Sequence, residues 1–470
     1  MSGDTVFPAV PPAVAHILQV LQDHGHQAVL AGGCVRDALL GGIPHDWDIA
    51  TSAHPGQVES LFPRTVPVGR NFGIIVVLGS DGVGYEVATF RGEDGYSDGR
   101  HPDSIRFVAM EEDVKRRDFT VNALLYDPMA GRLYDFVGGQ ADLAARRLRA
   151  VGDPRRRFTE DKLRTLRAIR FAARLGFDID PDTLAAIGPV APMVPQCVSP
   201  ERIAAESEKI LLGGSSRRAF GLMEQSGLLK YVYPLLFAMI GVEQPPQFHP
   251  EGDVWQHTLK ALGIMDGTIR RCQAAAPDSP RFDDCGQLQR AGESELRMLS
   301  WATLLHDIGK PPTFVRGEDR IRFNRHDELG AAMAGEYLAG LHLPNEIIDG
   351  AVWLVRGHMN QLSMAEARLA TRRRHLQHPL YPLMLELVRI DTMASFGGMQ
   401  LHRQLLEWWK EEQARPIPPK PTLNGRDLIA IGIPPGPNMG KILREAADHE
   451  LEQPFASREE AIDWVKRHCL

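Results

Sequence analysis

Two aspartates, Asp46 and Asp48, flank one tryptophan in the stretch 42–51, GIPHDWDIAT. On an extended strand, residues i and i+2 point to the same face. Carboxylates placed side by side repel each other, and a divalent cation relieves that repulsion. Mg²⁺ prefers a few carboxylates together with waters and phosphate oxygens. The pair therefore predicts metal-assisted phosphoryl chemistry. Just upstream lies GGCVRD, residues 32–37. Gly32 and Gly33, between a strand and a helix, let backbone N–H groups approach a triphosphate, and the helix start favours an anion. Arg36 adds a guanidinium suited to phosphate. No GxxxxGK[ST] occurs, which excludes a P-loop. Glu86, in YEVATF, could supply a third carboxylate from a neighbouring strand.

A second constellation is a stripe. Asp161, Arg164, Arg167 and Arg170 recur every three residues, which on one helix makes a slowly winding line. They sit in a basic stretch from Arg146 to Arg174 that holds eleven Arg or Lys and three acids, although the whole chain carries a net charge of −7. Such a stretch can track phosphates. A merely solvated charged face is the plain alternative, but it needs no such regular spacing.

These groups need elements to hold them. Residues 8–22 carry helical apolar spacing. AVLAGG (28–33) predicts a strand running into a glycine turn, CVRDALLGG a short helix, DWDIAT a strand and HPGQVESLF a helix. FGIIVVLG and YEVATF predict strands that pair around SDGVG. Residues 1 to about 150 thus mix α and β, and beyond about 155 strands vanish and helices dominate. Residues 272–294 predict a loop between helices, and 414–421, ARPIPPKP, a proline linker.

The bulk numbers fit a globular protein of several domains: 470 residues, 43% hydrophobic and 24% charged. No apolar run approaches the ~20 residues a membrane span needs, and the first residues do not read as a signal peptide. The five cysteines form no CxxC pair, so reduced thiols and a cytoplasmic setting are expected.

LAGGCVRDALLGGIPHDWDIAT, then RRDFTVNAL (116–124), DFVGGQADL (135–143) and EDKLRTLRAIRFAARLGF (160–177) follow one another in order. They resemble the successive motifs of the class II tRNA nucleotidyltransferases, the bacterial and eukaryotic CCA-adding enzymes, with bacterial poly(A) polymerases as close relatives. NGRDLIAIGIPPGPNMGKIL (424–443) resumes the likeness. The resemblance implies an α+β chain: a polymerase-β-like head over 1–152, a helical neck over 153–245, a helical body over 246–412 and a tail over 413–470. It implies Mg²⁺ on Asp46 and Asp48 as the catalytic carboxylates. Arg117, Asp118 and Asn122 would lie near the nucleotide's sugar and phosphates, joining Gly32, Gly33 and Arg36. Asp161 and Arg164 would read the base. Adenine and cytosine both present an amino donor beside a ring acceptor, whereas guanine and uracil reverse that order, so a carboxylate beside an arginine selects A and C. Arg167 and Arg170 would hold phosphate or RNA. RGEDGYSDGRHPDSI (91–105) matches the loop the family needs for the final A. The implied partners are tRNA, CTP and ATP, with no membrane, and the implied reaction is untemplated addition and repair of the tRNA 3′ CCA. An A-adding or poly(A) enzyme is the neighbouring alternative.

From about residue 246 the motifs change. Adjacent His306–Asp307, with a distant His and a distant Asp, resembles the HD superfamily of metal-dependent phosphohydrolases. The implied ligands are His257, His306, Asp307 and Asp391, with His326 and His358 able to extend the set to a second ion. Imidazole with carboxylate suits Ni²⁺, Mn²⁺, Fe²⁺ or Zn²⁺. Lys310, just after the pair, is a phosphate candidate. An HD phosphohydrolase with a degenerate RNA-binding head is the alternative from another class.

Overall fold

The structure, a computed structural model, describes residues 7–94, 104–395, 397–415 and 422–469. Its contacts divide the chain into two compact units, Met1–Phe237 and Ala238–Leu470.

The first unit is built on a mixed sheet. Its strands are β1 (Ala28–Ala31), β2 (Ile49–Thr51), β3 (Thr65–Gly69), β4 (Ile74–Leu78), β5 (Gly84–Thr89), β8 (Leu125–Asp127) and β9 (Arg132–Tyr134), in the spatial order β3-β4-β5-β2-β1-β8-β9. A separate antiparallel pair, β6 (Arg91–Asp94) and β7 (Ser104–Phe107), frames the predicted glycine-rich loop, whose residues 95–103 lie outside the described set. β4 and β5 pair antiparallel as expected, with Ile74 opposite Ala88. β2 and β5 run parallel, which brings Ile49 opposite Val87. Val29, Ala31, Ala50, Phe90 and Leu125 belong to one buried apolar cluster of this sheet region.

Helices α1 (Pro12–Asp23), α2 (Gly33–Leu39), α3 (Pro55–Leu61), α4 (Met110–Lys115) and α5 (Gly139–Ala144) belong to this sheet-bearing part. The glycine turn between β1 and α2 requires glycine: Gly32 has φ +73°, and a Cβ there would lie 3.2 Å from a guanidinium nitrogen of Arg117. Then follow α6 (Pro154–Glu160) and α7 (Leu163–Leu175), the latter ended by Gly176 in the left-handed conformation. α7 buries Leu166, Ile169 and Ala172 and packs on the helix Pro200–Leu211.

Two expectations need correction. Asp46 and Asp48 are not within a strand; β2 begins at Ile49, and the aspartates lie in the segment just before it. Trp47 between them is buried, while both aspartates open into the cavity they line. Strands also do not vanish after 155: β10 (Arg147–Leu148) pairs with β11 (Asp178–Ile179), and β12 (Phe314–Arg316) forms a hairpin with β13 (Ile321–Phe323).

The second unit is helical. Val254–Ala274, Glu293–Leu305, His326–Gly340, Asn345–Gly357 and Tyr381–Ala394 pack together, and three helices after Leu423 enclose a small core of their own. The predicted loop at 272–294 is a folded segment between Ala274 and Glu293, with Leu288 fully buried. Its anchor is Glu386, itself fully buried, which accepts from the Leu288 amide at 3.2 Å and the Thr268 hydroxyl at 2.5 Å and pairs with Arg389 at 2.6 Å. Truncating Glu386 would leave Arg389 buried and unpaired, at a cost of about 3–5 kcal/mol. Glu386→Ala should therefore lower the unfolding free energy of this unit by that amount, seen as a lower denaturant midpoint, and expose 275–292 to limited proteolysis. An unchanged midpoint and protease pattern would contradict the anchoring.

Candidate functional site

The parallel register of β2 and β5 explains the acidic side of the site. With Ile49 opposite Val87, the preceding Asp48 falls beside Glu86. Asp46, Asp48 and Glu86 line one cavity of about 840 Å³. Desolvation by the cavity walls, then the charges of Glu86 and Asp46, push the Asp48 carboxyl up to about 6, against a weaker pull from Arg117. Three crowded carboxylates fit a hard cation with oxygen ligands.

The opposite wall is arginine. Arg167 makes two bonds to one Asp118 oxygen, at 2.6 and 2.9 Å. Arg170 pairs with Glu206 at 2.6 Å. Phe171 lies under three guanidinium groups, with the Arg36, Arg167 and Arg170 carbons 5.3, 5.3 and 4.1 Å from its ring centre. One aromatic ring thus lies within cation–π reach of three like charges. Burial alone would raise the Asp118 carboxyl, but the charge of Arg167 and the bonds from Arg167 and Asn122 outweigh it and hold it below the usual range.

All twelve predicted head residues line this cavity: Gly32, Gly33, Arg36, Asp46, Asp48, Arg117, Asp118, Asn122, Asp161, Arg164, Arg167 and Arg170. Their arrangement departs from a single stripe. Asp161 is not on the helix with the arginines; it sits extended at the break between α6 and α7, with φ −141° and ψ 107°. Its carboxylate pairs with Arg202 at 2.9 Å, while Arg164 pairs with Glu160 at 2.8 Å. Arg36 is buried and bonds Asp37 at 2.7 Å and the Asn122 side chain. Arg116, Arg174, Arg202 and Lys209 also line the cavity and were not predicted. Arg116 opens the motif RRDFTVN and Arg174 follows Arg170 by four residues, about one helical turn, so both had a sequence signal. Arg202 and Lys209 come from the helix Pro200–Leu211, which only tertiary packing brings in.

The second unit also assembles its predicted set. His257 Nε2 lies 3.1 Å from Asp391 Oδ1 and 3.3 Å from His306 Nε2, and His306 Nε2 lies 3.3 Å from Asp307 Oδ2. On the other side of Asp307, His326 Nε2 is 3.6 Å from Oδ1, and His358 joins that group. The Nδ1 atoms of His306, His326 and His358 lie 2.8, 2.9 and 2.6 Å from backbone carbonyl oxygens. A carbonyl only accepts, so each Nδ1 holds the proton and each Nε2 offers a lone pair. Nε2 of His326 and of His358 are buried with no hydrogen-bond partner among the described residues. Buried, unpartnered ring nitrogens beside carboxylates fit a cation that takes nitrogen and oxygen ligands. Burial lowers His257, but its hydrogen bonds to Asp391 and Glu251 reverse this and raise it to about 9. Lys310 departs from expectation: it is buried, 2.8 Å from Asp307 and 2.7 Å from Gln244.

Residues 28–149 match the family described as the poly(A) polymerase head domain, 176–240 that described as the probable RNA- and SrmB-binding site of polymerase A, and 274–394 the HD domain. Fold and site together define a nucleotidyltransferase head followed by a helical region carrying an HD domain. A CCA-adding enzyme of Enterococcus faecalis is 39% identical over 471 residues, spanning 97% of this chain and 96% of that protein. One from a Geobacillus species is 46% identical over 221 residues, 47% of this chain and 54% of that protein, so the chain spans about half the length of some curated relatives it matches. The solved CCA-adding enzyme of Bacillus stearothermophilus in complex with CTP superposes with a TM-score of 0.67 at 29% identity, over 97% of this chain and 98% of that one. The Thermotoga maritima CCA-adding enzyme complexed with tRNA shares the fold at a TM-score of 0.56 and 19% identity, over 97% and 96%. The chain belongs to the CCA-adding enzyme family.

The raised Asp48 carboxyl has a measurable sign. Between about pH 4 and 6 the unfolded Asp48 has lost its proton and the folded one retains it, so its contribution to stability falls as pH rises through that window. Asp48→Asn removes the charge. In metal-free protein the variant should melt above the parent chain, with a gap that is small at pH 4 and full above pH 6. Calorimetry in a chelator measures it; a pH-independent gap, or a less stable variant, would contradict the crowding.

Proposed function

We propose that this chain adds and repairs the 3′-terminal CCA of tRNA from CTP and ATP without a nucleic-acid template. The observation that carries the reading is that Asp46 and Asp48 share one cavity with Asp161, Arg164 and the arginine wall. The family's name and its solved complexes with CTP and tRNA support the same substrates. Mg²⁺ on Asp46 and Asp48 would lower the pKa of the attacking 3′-hydroxyl and balance charge on the leaving pyrophosphate. The chain's own residues do the rest. Arg117, Asn122 and Gly32 border the sugar and phosphates. Arg167, held by Asp118, and Arg170 face triphosphate or RNA. Asp161 accepts from the base amino group while Arg164 donates to the ring nitrogen. Both already have protein partners, Arg202 and Glu160, which fix their directions before a base arrives. The loop sequence 91–105 favours addition of the final A as well as the two Cs.

In the second unit we read His257, His306, Asp307 and Asp391 as ligands of a transition metal such as Ni²⁺, Mn²⁺, Fe²⁺ or Zn²⁺, serving phosphohydrolysis. The proposed division is head 1–152, neck 153–245, HD body 246–412 and tail 413–470.

Purified protein with Mg²⁺ and tRNA ending at the discriminator base, given CTP, ATP or both, should yield C, C and then A at single-nucleotide resolution. Addition of A alone, or a long A tail, would favour the neighbouring activities. Changing Asp46 and Asp48 together to alanine should abolish extension while tRNA binding persists; undiminished extension would remove the metal assignment. His306→Ala with Asp307→Ala should spare CCA addition and abolish hydrolysis of 2′,3′-cyclic or terminal phosphates with Ni²⁺ or Mn²⁺. Loss of addition in a folded variant would mean the two activities are not separable.

A further inference from the structure

Among the four histidines of the HD cluster, His257 differs in what its outer nitrogen meets. His306, His326 and His358 each donate Nδ1–H to a backbone carbonyl. His257 Nδ1 instead lies 2.7 Å from Oε1 of Glu251, and His257 itself is fully buried. Glu251 Oε1 also lies 2.9 Å from Nδ1 of His249, while Glu251 Oε2 is buried with no hydrogen-bond partner among the described residues. A buried carboxylate half-used in this way is not there to satisfy the fold, since a neutral acceptor would do that at lower desolvation cost.

The local chain is shaped to deliver it. Val254–Ala274 starts with Asp253 as its cap, accepting from the Gln256 amide at 2.8 Å and from the Gly241 amide at 2.6 Å. Gly252, at φ +126°, turns the chain sharply just before the cap. The turn lets residue 251 reach a side chain six positions on, in the second turn of the helix. The sequence HPEGDVWQH therefore encodes an acceptor, a glycine hinge, a cap and the histidine in one segment.

We infer that Glu251 is a positioning residue for the metal site: it holds the proton of His257 on Nδ1, aims Nε2 at the ion between His306 and Asp391, and raises the donor strength of that ring. The inference rests on the HD cluster binding a transition metal. An anionic partner polarises an imidazole more than a carbonyl does, and loss of such a partner costs about 10–100-fold in metal affinity. His249 shares the same carboxylate oxygen and draws charge away from His257, so its removal leaves Glu251 to one ring.

Titration calorimetry of the full chain with Ni²⁺, in the Asp46→Ala, Asp48→Ala background that silences the head, tests this. The parent should bind Ni²⁺, and adding His306→Ala with Asp307→Ala should abolish the binding. Glu251→Ala should weaken it by about 10–100-fold. Glu251→Gln, which keeps an acceptor for Nδ1–H but not the charge, should recover part of the loss, and His249→Ala should bind at least as tightly as the parent. A parent-like melting temperature and far-ultraviolet circular dichroism of Glu251→Ala, with an unchanged protease pattern in the second unit, certify folding. Parent-like affinity in Glu251→Ala, with binding still lost in the His306/Asp307 variant, would overturn the role of Glu251 alone. Binding that survives in the His306/Asp307 variant, or none in the parent, would overturn the metal site itself and the inference with it.

Discussion

The two-bond pair between Asp118 and Arg167 is the joint on which the first unit depends. Asp118 is tied to the sheet side, where its carbonyl accepts from the Val151 amide at 3.1 Å. Arg167 stands in the middle of α7. Joining them at 2.6 Å sets the rotation of α7, and with it the direction of Arg164 one turn earlier and Arg170 one turn later. The pair also solves an electrostatic problem. The acidic group of Asp46, Asp48 and Glu86 lines the same cavity as a wall of guanidinium groups, and their direct collapse onto each other would fill it. Giving Arg167 to Asp118 and Arg170 to Glu206 keeps the basic wall back from Asp46, Asp48 and Glu86. The acidic group keeps its mutual repulsion, which a bound cation can relieve.

The second unit follows related logic with other donors. Asp307 is fully desolvated, yet Lys310 and then His306 hold its carboxyl well below the usual range. The charge is thus retained in the interior, where histidine nitrogens converge on both of its oxygens. Glu386, elsewhere on the same helix as Asp391, carries a separate network that fixes the segment 275–292. The bonds of that segment to Glu386 and the ring contact of its Phe282 with Trp409 give it a packed position in the unit.

Much of this was legible in the sequence because strand alternation and helical spacing are local. Asp46 and Asp48 flank the buried Trp47 and line one cavity although β2 begins only at Ile49, so the later start of the strand does not move the site. The stripe from Asp161 to Arg170 was legible as a group but not as one helix, because the extended backbone at Asp161 has no composition signal. Arg202 and Glu206 were illegible, since only the packing of α7 on Pro200–Leu211 gives them partners. The HD ligands lie far apart in sequence, and it was the adjacent His306–Asp307 that made them readable. Glu251 was passed over because a carboxylate six residues before a histidine matches no helical period.

In the proposed reading Asp161 and Arg164, held by Arg202 and Glu160, meet the edge of an incoming base. Single-turnover incorporation of CTP, ATP, GTP and UTP by the double variant Asp161→Ala, Arg164→Ala measures this directly. CTP and ATP should lose far more than GTP and UTP, so that the preference for C and A narrows or disappears. Equal loss for all four nucleotides, with the preference intact, would contradict it.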